Sequence, residues 1–311
     1  MGHTFESIKE IHNLPITTLL LRAQETLHRF HDPARVELHT LCSVKTGGCS
    51  ENCAYCSQSA HHKTFLKEGT WLSHEDIIQK AKEAKAAGAM RFSLSYAWRT
   101  IPSEAHLSTI TEVIREVKAL GIQVCCTLGM LTPAQAEQLK EAGCDCYNHN
   151  IDTSRAHYGK IITTRTFDDR LDTLKNVQNA GIMVCCGGIV GMGESIDDRI
   201  NMIVELANMN PQPDSVPINA LVPIEGTPLQ NQPFIDSIEF VRVVATARIA
   251  LPKATIQLAG GRHQFSPEMQ TLCFVAGANG FHIGEKLLTT PNHSSNNDLQ
   301  LLKKLGLHTN S

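Results

Sequence analysis

The chain has 311 residues, a net charge of −3 and 42% hydrophobic side chains. That balance excludes an electrostatic footprint for nucleic acid or an acidic membrane surface, and no run approaches the ~18 apolar residues of a membrane span. The 11 cysteines are not spaced as a disulfide framework, and the acidic start Met1–Glu6 has no leader-like apolar core. A reducing, cytoplasmic setting is expected.

In chain order, the first 35 residues read as a helical extension. Val36–Cys42 then reads as a strand, followed by the loop Cys49-Ser50-Glu51-Asn52-Cys53-Ala54-Tyr55-Cys56. After it a unit recurs: a helix-like segment ends in glycine and runs into a short strand. The glycines are Gly88, Gly121, Gly143, Gly181 and Gly277, the residue type that caps a helix in the left-handed conformation. Ser73, Ser103 and Thr132 stand where N-caps belong. Helices are expected near 74–87, 104–119, 133–142, 167–180, 196–209, 235–250 and 267–277. Ser215–Leu221 and Thr255–Ala259 add strands without the glycine. The polar run Asn292–Asp298 reads as a loop before a last helix, in a tail spanning 292–311. Eight alternating strand–helix units imply parallel pairing and right-handed crossovers. The expected fold is α/β: one (β/α)8 TIM-type barrel domain over 1–311 with an N-terminal helical extension. A doubly wound sheet is the alternative.

Cys49, Cys53 and Cys56 place three soft thiolates on one loop, a set that selects zinc or iron–sulfur. Structural zinc wants four ligands, which Cys42, His61 or His62 would have to complete. A 4Fe–4S cluster held by three cysteines instead leaves one iron open to a chelating cosubstrate. Barrel active sites lie at the C-terminal ends of the strands, where Cys125, Asn148, Asn150, Asp152, Cys185, Gly187, Gly188, Asn219 and Gln257 collect. Cys125 and Cys185 each fall four residues after their repeat glycine, so both should face one way. Cys126 and Cys186 should face the other. A shared metal site and ordinary core burial are both open for the first pair.

The three-cysteine loop resembles that of the radical S-adenosylmethionine (SAM) superfamily. Lys45–Cys56, Tyr147–Thr153, Ile161–Thr166, Gly187–Glu194, Val216–Asn219 and Lys286–Asn292 together resemble the biotin synthase family, from about Val36 to Leu307. The resemblance implies that SAM is reduced at a 4Fe–4S cluster, and that the resulting 5′-deoxyadenosyl radical abstracts hydrogen from dethiobiotin. A second, 2Fe–2S cluster then supplies sulfur. It further implies a homodimer and an electron donor such as flavodoxin or ferredoxin. By resemblance Tyr55, Asp152, Arg170, Gly187, Gly188 and Ile189 attend SAM. Asn148, Asn150, Asn219, Thr289 and Thr290 attend dethiobiotin, the carboxamides matching its ureido ring. Asp152 also suits a helix cap, Arg170 a solvated helix charge, and the glycines a tight turn. The family's second cluster has three cysteines and one arginine. Cys125 and Cys185 match two of them, whereas the third cysteine falls at Ser93 and the arginine at Gln257. A variant auxiliary cluster is therefore expected. A related radical SAM enzyme with another substrate, or a noncatalytic iron–sulfur scaffold, are the alternatives. Arg262, five residues past Gln257, is not expected to substitute.

Overall fold

The computed structural model describes residues 2–66 and 69–309. Eight parallel strands form a closed barrel: β1 (Arg35–Thr46), β2 (Arg91–Tyr96), β3 (Gln123–Thr127), β4 (Cys146–Asn148), β5 (Met183–Cys185), β6 (Ser215–Ala220), β7 (Thr255–Leu258) and β8 (Gly280–Ile283). Closure is made by β8 on β1, with Glu37 opposite Gly280 and Thr40 opposite Ile283. The doubly wound alternative would leave two open edges at this point.

The recurring glycine does what its chemistry suggests. Helix α3 (His74–Ala86) ends at Ala87, and Gly88 follows at φ 80°. Gly88 N–H then bonds Lys85 O at 3.0 Å, and Ala89 N–H bonds Ala84 O at 3.0 Å. These paired bonds satisfy the last carbonyls and turn the chain towards the next strand. The repeat glycines Gly121, Gly143, Gly181 and Gly277 also have left-handed φ. Ser73, Ser103 and Thr132 each cap their helix through the side chain.

The remaining helices are α4 (Glu104–Ala119), α5 (Pro133–Glu141), α6 (Arg155–Ile161), α7 (Phe167–Asn179), α8 (Ile196–Asn208), α9 (Ser237–Ala250), α10 (Pro267–Val275) and α11 (Ser295–Leu305). Helix α6 is absent from the sequence reading, and α11 begins inside the run expected to be loop. The N-terminal extension is two helices, α1 (Phe5–His12) and α2 (Ile16–Phe30), packed outside the barrel on α8 and α9. The apolar core lies between the strands and the helix ring. Inside the barrel, polar and sulfur-bearing side chains stand among apolar ones on the wall, and that placement defines the site.

Candidate active site

A cavity of about 330 Å³ opens at the C-terminal ends of the strands. Its walls include Cys49, Cys53, Tyr55 and Cys56 from the loop after β1, and Ser93, Cys125, Asn148, Asn150, Asp152, Cys185, Asn219 and Gln257 from the barrel. Arg170, Ile189, Thr289 and Thr290 also line it. Gly187 and Gly188 are not on this wall.

The loop after β1 is tied down at both ends. Cys49 N–H bonds Gln58 O at 2.9 Å, and Ala60 N–H bonds Cys49 O at 2.7 Å. Asn52 Oδ1 accepts from Thr163 N and Thr164 N, and its Nδ2 donates to Thr163 Oγ1 at 2.6 Å. Ala54 N–H bonds Ile161 O. The Ile161–Arg165 segment thus acts as a clamp on the cysteine loop. Glu51, between Cys49 and Cys53, is buried beside Arg99 at 3.5 Å and Arg165 at 3.9 Å. The spacing rules pass over it, although it sits inside the motif.

Burial raises the Cys53 thiol to about 11 and the Cys56 thiol to about 12, with the Cys53 charge adding to the second. Such thiols stay protonated until a metal displaces the proton. The candidate completing ligands for zinc are committed elsewhere. His61 Nε2 bonds Ser50 O, and His62 Nε2 bonds Cys53 O. Cys42 packs in the apolar core. Among the described residues no three His, Cys, Asp or Glu side chains converge on a point where one metal ion would sit. A cluster of several irons is surrounded by its ligands rather than chelated at one point. Three thiols on one loop with no fourth partner fit a 4Fe–4S cluster with one open iron.

Asp152 and Arg170 are a buried pair. Arg170 Nη2 bonds Asp152 Oδ2, Tyr55 OH donates to the same oxygen at 3.0 Å, and Arg170 Nε donates to Tyr158 OH at 3.0 Å. Arg170 is only 4% exposed, which removes the solvated-charge reading. Burial opposes its charge, but Asp152, Tyr55, Tyr158 and Cys53 together outweigh this and raise its pKa. Asp152 is not a helix cap, because Ser154 caps α6. Its φ of 67° is left-handed, a conformation Asp tolerates better than most residues. It is held there by Ile189 N–H on its carbonyl at 2.8 Å.

Gly187 and Gly188 are required by protein packing. A Cβ on Gly187 would meet Pro217 O at 2.0 Å, and one on Gly188 would meet Met202 Sδ at 2.2 Å. Their closeness lets the short strand Gly188–Val190 pair with β6 and bring Ile189 to the cavity. Asn219 braces that strand: its Nδ2 donates to Gly188 O at 2.9 Å and its Oδ1 accepts from Gly260 N at 2.8 Å. Asn150 Oδ1 accepts from Gly187 N at 3.0 Å and from Asn148 Nδ2 at 3.3 Å. Thr289 Oγ1 lies 2.8 Å from Ser57 Oγ, joining the C-terminal hairpin to the cysteine loop. Thr290 Oγ1 donates to Leu287 O.

Deeper in the barrel, Cys125 and Cys185 face inward with Cys146, apart from the main core. Cys126 and Cys186 pack outward into that core, as strand alternation requires. Ser93 lies opposite Cys125 in register. Gln257 is fully buried, its Nε2 is 3.4 Å from His39 Nδ1, and its Oε1 has no partner among the described residues. His282, a further wall residue, stands with its ring 5.8 Å from that of His39. Arg262 points away and pairs with Asp298 of α11 at 2.6 Å.

Comparison with known proteins decides the family. Residues 43–207 match the radical SAM superfamily, and residues 217–308 match the biotin and thiamin synthesis associated domain. A biotin synthase of Nitrosomonas europaea is 52% identical over 302 residues, covering 97% of this chain and 89% of the relative. One from Legionella pneumophila strain Corby is 52% identical over 305 residues, covering 98% and 96%. The chain belongs to the biotin synthase family. It is a radical SAM enzyme that inserts sulfur into dethiobiotin to give biotin, and membership implies a 4Fe–4S cluster and SAM. Among solved structures, methylornithine synthase superposes with a TM-score of 0.84 at 19% identity, covering 100% of this chain and 95% of the other. The FeFe-hydrogenase maturase HydG from Carboxydothermus hydrogenoformans gives 0.84 at 18%, covering 99% and 76%. Both show the shared barrel.

Proposed function

We propose that the barrel cavity holds SAM against the cysteine loop and dethiobiotin below it, above an auxiliary iron–sulfur centre of altered composition. The observation that carries this reading is one cavity wall with Cys49, Cys53 and Cys56 at its mouth and Cys125 and Cys185 inside. When bound, the 4Fe–4S cluster supplies the electron that cleaves SAM. The chain's own residues place the reactants. Tyr55, Asp152 and Arg170 present a fixed hydrogen-bonding edge to SAM, and Ile189 covers its apolar face, with Gly187 and Gly188 shaping the wall. Asn148, Asn150 and Asn219 line the position for a ureido ring, and Thr289 and Thr290 that for the substrate carboxylate. A cavity enclosed by the barrel wall keeps water and stray C–H bonds away from a radical.

Cys125 and Cys185 are the thiolates proposed for the auxiliary centre, and Ser93 and Gln257 are its atypical neighbours. The family reading also carries a flavodoxin or ferredoxin as electron donor, a cytoplasmic location and a homodimer. No helix among the described residues is long and apolar enough to cross a membrane. The test is anaerobic turnover of the reconstituted enzyme with SAM, dethiobiotin and a reductant. Biotin and 5′-deoxyadenosine should form together, and Cys53→Ala should form neither. Retained SAM cleavage in that variant would rule out the assignment of the cysteine loop.

A further inference from the structure

Packed with the cavity residues Cys125 and Cys185 is a third thiol that the family pattern does not place there. Ser93, Cys125 and Cys146 are register partners along β2, β3 and β4, and Cys185 is the partner of Asn148 on β5. Side chains two apart on a strand share a face, so Cys146 and Asn148 point the same way, into the barrel. Cys125, Cys146 and Cys185 consequently form a cluster of their own, separate from the main core. The Cys146 thiol is held well above its ordinary range, first by its bond with Cys125 and also by burial. The Cys185 thiol is raised by its bond with Cys146 and by burial. Cys146 thus packs with the other two in one cluster.

A cation faces the same group. Arg91, on β2, is 5% exposed. Its Nε reaches Gln123 Oε1 at 3.3 Å and its Nη1 reaches Ser215 Oγ at 3.3 Å. Burial opposes its charge, and Cys146, Cys125, Cys185 and Glu37 together outweigh that and raise its pKa. A buried guanidinium wants an anionic partner. Its side-chain hydrogen bonds go to two neutral oxygens, and the thiols become anionic when they ligate metal.

We propose that Cys146 is the third thiolate of the auxiliary centre, with Cys125 and Cys185, and that Arg91 is its buried counter-cation. The pair stands in for the thiol missing at Ser93 and the cation missing at Gln257. The inference rests on the auxiliary-centre reading above. Soft thiolate is a better iron ligand than a serine alkoxide, so a chain with Cys146 in contact with the other two does not need Ser93. Moving the third thiolate from β2 to β4 draws the ligands onto the adjacent strands β3, β4 and β5.

The test is anaerobic reconstitution with ⁵⁷Fe and sulfide of the full chain and its Cys125→Ala, Cys146→Ala and Cys126→Ala variants. Iron and sulfide per chain and the Mössbauer spectrum are read, with the 4Fe–4S component reporting that each variant is folded. Wild type and Cys126→Ala should carry iron beyond that component, and Cys125→Ala and Cys146→Ala should both lose it. Cys146→Ala with the extra iron and its spectrum unchanged would overturn the ligand assignment while leaving the auxiliary centre in place. Wild type carrying only the 4Fe–4S component would overturn the auxiliary centre itself. If Cys146→Ala fails to fold, Cys146→Ser keeps the shape, and an altered spectrum is expected. An unaltered one counts against the proposal. Arg91→Met should move the auxiliary midpoint potential to more negative values, because an anionic cluster loses a nearby positive charge, and Arg91→Lys should restore it. No difference between the two would remove Arg91 from the assignment.

Discussion

Single side chains in this cavity do two jobs, and the hydrogen bonds separate them. Asp152 is both the proposed SAM contact and the partner of buried Arg170. Asp152→Ala leaves that guanidinium without its carboxylate, which costs about 3–5 kcal/mol when one half of a buried pair is removed. Urea unfolding of the metal-free protein should show that loss, and the double change Asp152→Ala with Arg170→Met should recover much of it. A fully additive double variant would mean the pair is not coupled. Asn150 and Asn219 look alike in sequence but differ in commitment. Both ends of the Asn219 amide hold backbone, at Gly188 O and Gly260 N. The hydrogen bonds of Asn150 among the described residues are all made by Oδ1, leaving Nδ2 for a ligand. Asn→Asp at 219 sets a carboxylate against Gly188 O, an unmade bond worth about 1–3 kcal/mol, and displaces the strand that carries Ile189. It should weaken both SAM and dethiobiotin, whereas Asn150→Asp should weaken dethiobiotin mainly. Equilibrium binding of each ligand to both variants decides this, and equal SAM affinity in the two would refute the bracing role.

At the level of elements, the features legible in the sequence are those fixed by local chemistry. A glycine after a helix, and a serine or threonine before one, are decided within a few residues, so seven helices and eight strands could be read directly. Helix α6 has only 7 residues, too few for a periodic signal, and the Gly188–Val190 strand exists only because two glycines admit Pro217 and Asp152. Cys146 escaped for a sharper reason. Cys125 and Cys185 lie four residues after their glycines, a rule that selects Tyr147 after Gly143. The connection into β4 is one residue shorter: Cys125 pairs with Cys146, and Cys126 with Tyr147. A one-residue shift exchanges the two faces of a strand, so Tyr147 goes out to bond Gly129 O and Cys146 goes in. Register is a property of the neighbouring strand, not of the spacing. The docked N-terminal helices show a second effect that sequence alone hides. The Thr246 hydroxyl donates to Arg242 O and accepts from His12 Nδ1. Burial, then Arg242 and Arg199, lower the His12 pKa from 6.5 to about 4. Above pH 6.5 both folded and unfolded states hold it neutral. As pH falls below 6.5 the unfolded chain gains a proton that the folded one refuses, so stability falls until about pH 4. Calorimetry at pH 7 and pH 5 should show a larger fall in Tm for wild type than for His12→Gln. Equal falls would clear His12 of the effect.

For the whole molecule, the two family matches meet between residues 207 and 217, yet the sheet does not divide there. β5 pairs across that junction with β6 through Cys185 and Ser215, and β1 closes the barrel against β8. The extension straddles it too, with its first helix on α8 and its second on α9. The cavity takes Cys49, Cys125 and Cys185 from one side of the junction and Asn219, Gln257 and Thr289 from the other. Cutting the chain there would bare two parallel strand edges, each a row of unpaired N–H and C=O groups that invites aggregation, and would uncover the apolar face on which the second helix rests. We therefore expect residues 1–212 expressed alone to lack a cooperative unfolding transition and to bind no SAM, even after reconstitution. Co-expression with residues 213–311 should restore a soluble complex with SAM binding. A fragment 1–212 that unfolds cooperatively and binds SAM by itself would show that the radical SAM portion is an independent domain, and that the barrel is assembled from two units rather than folded as one.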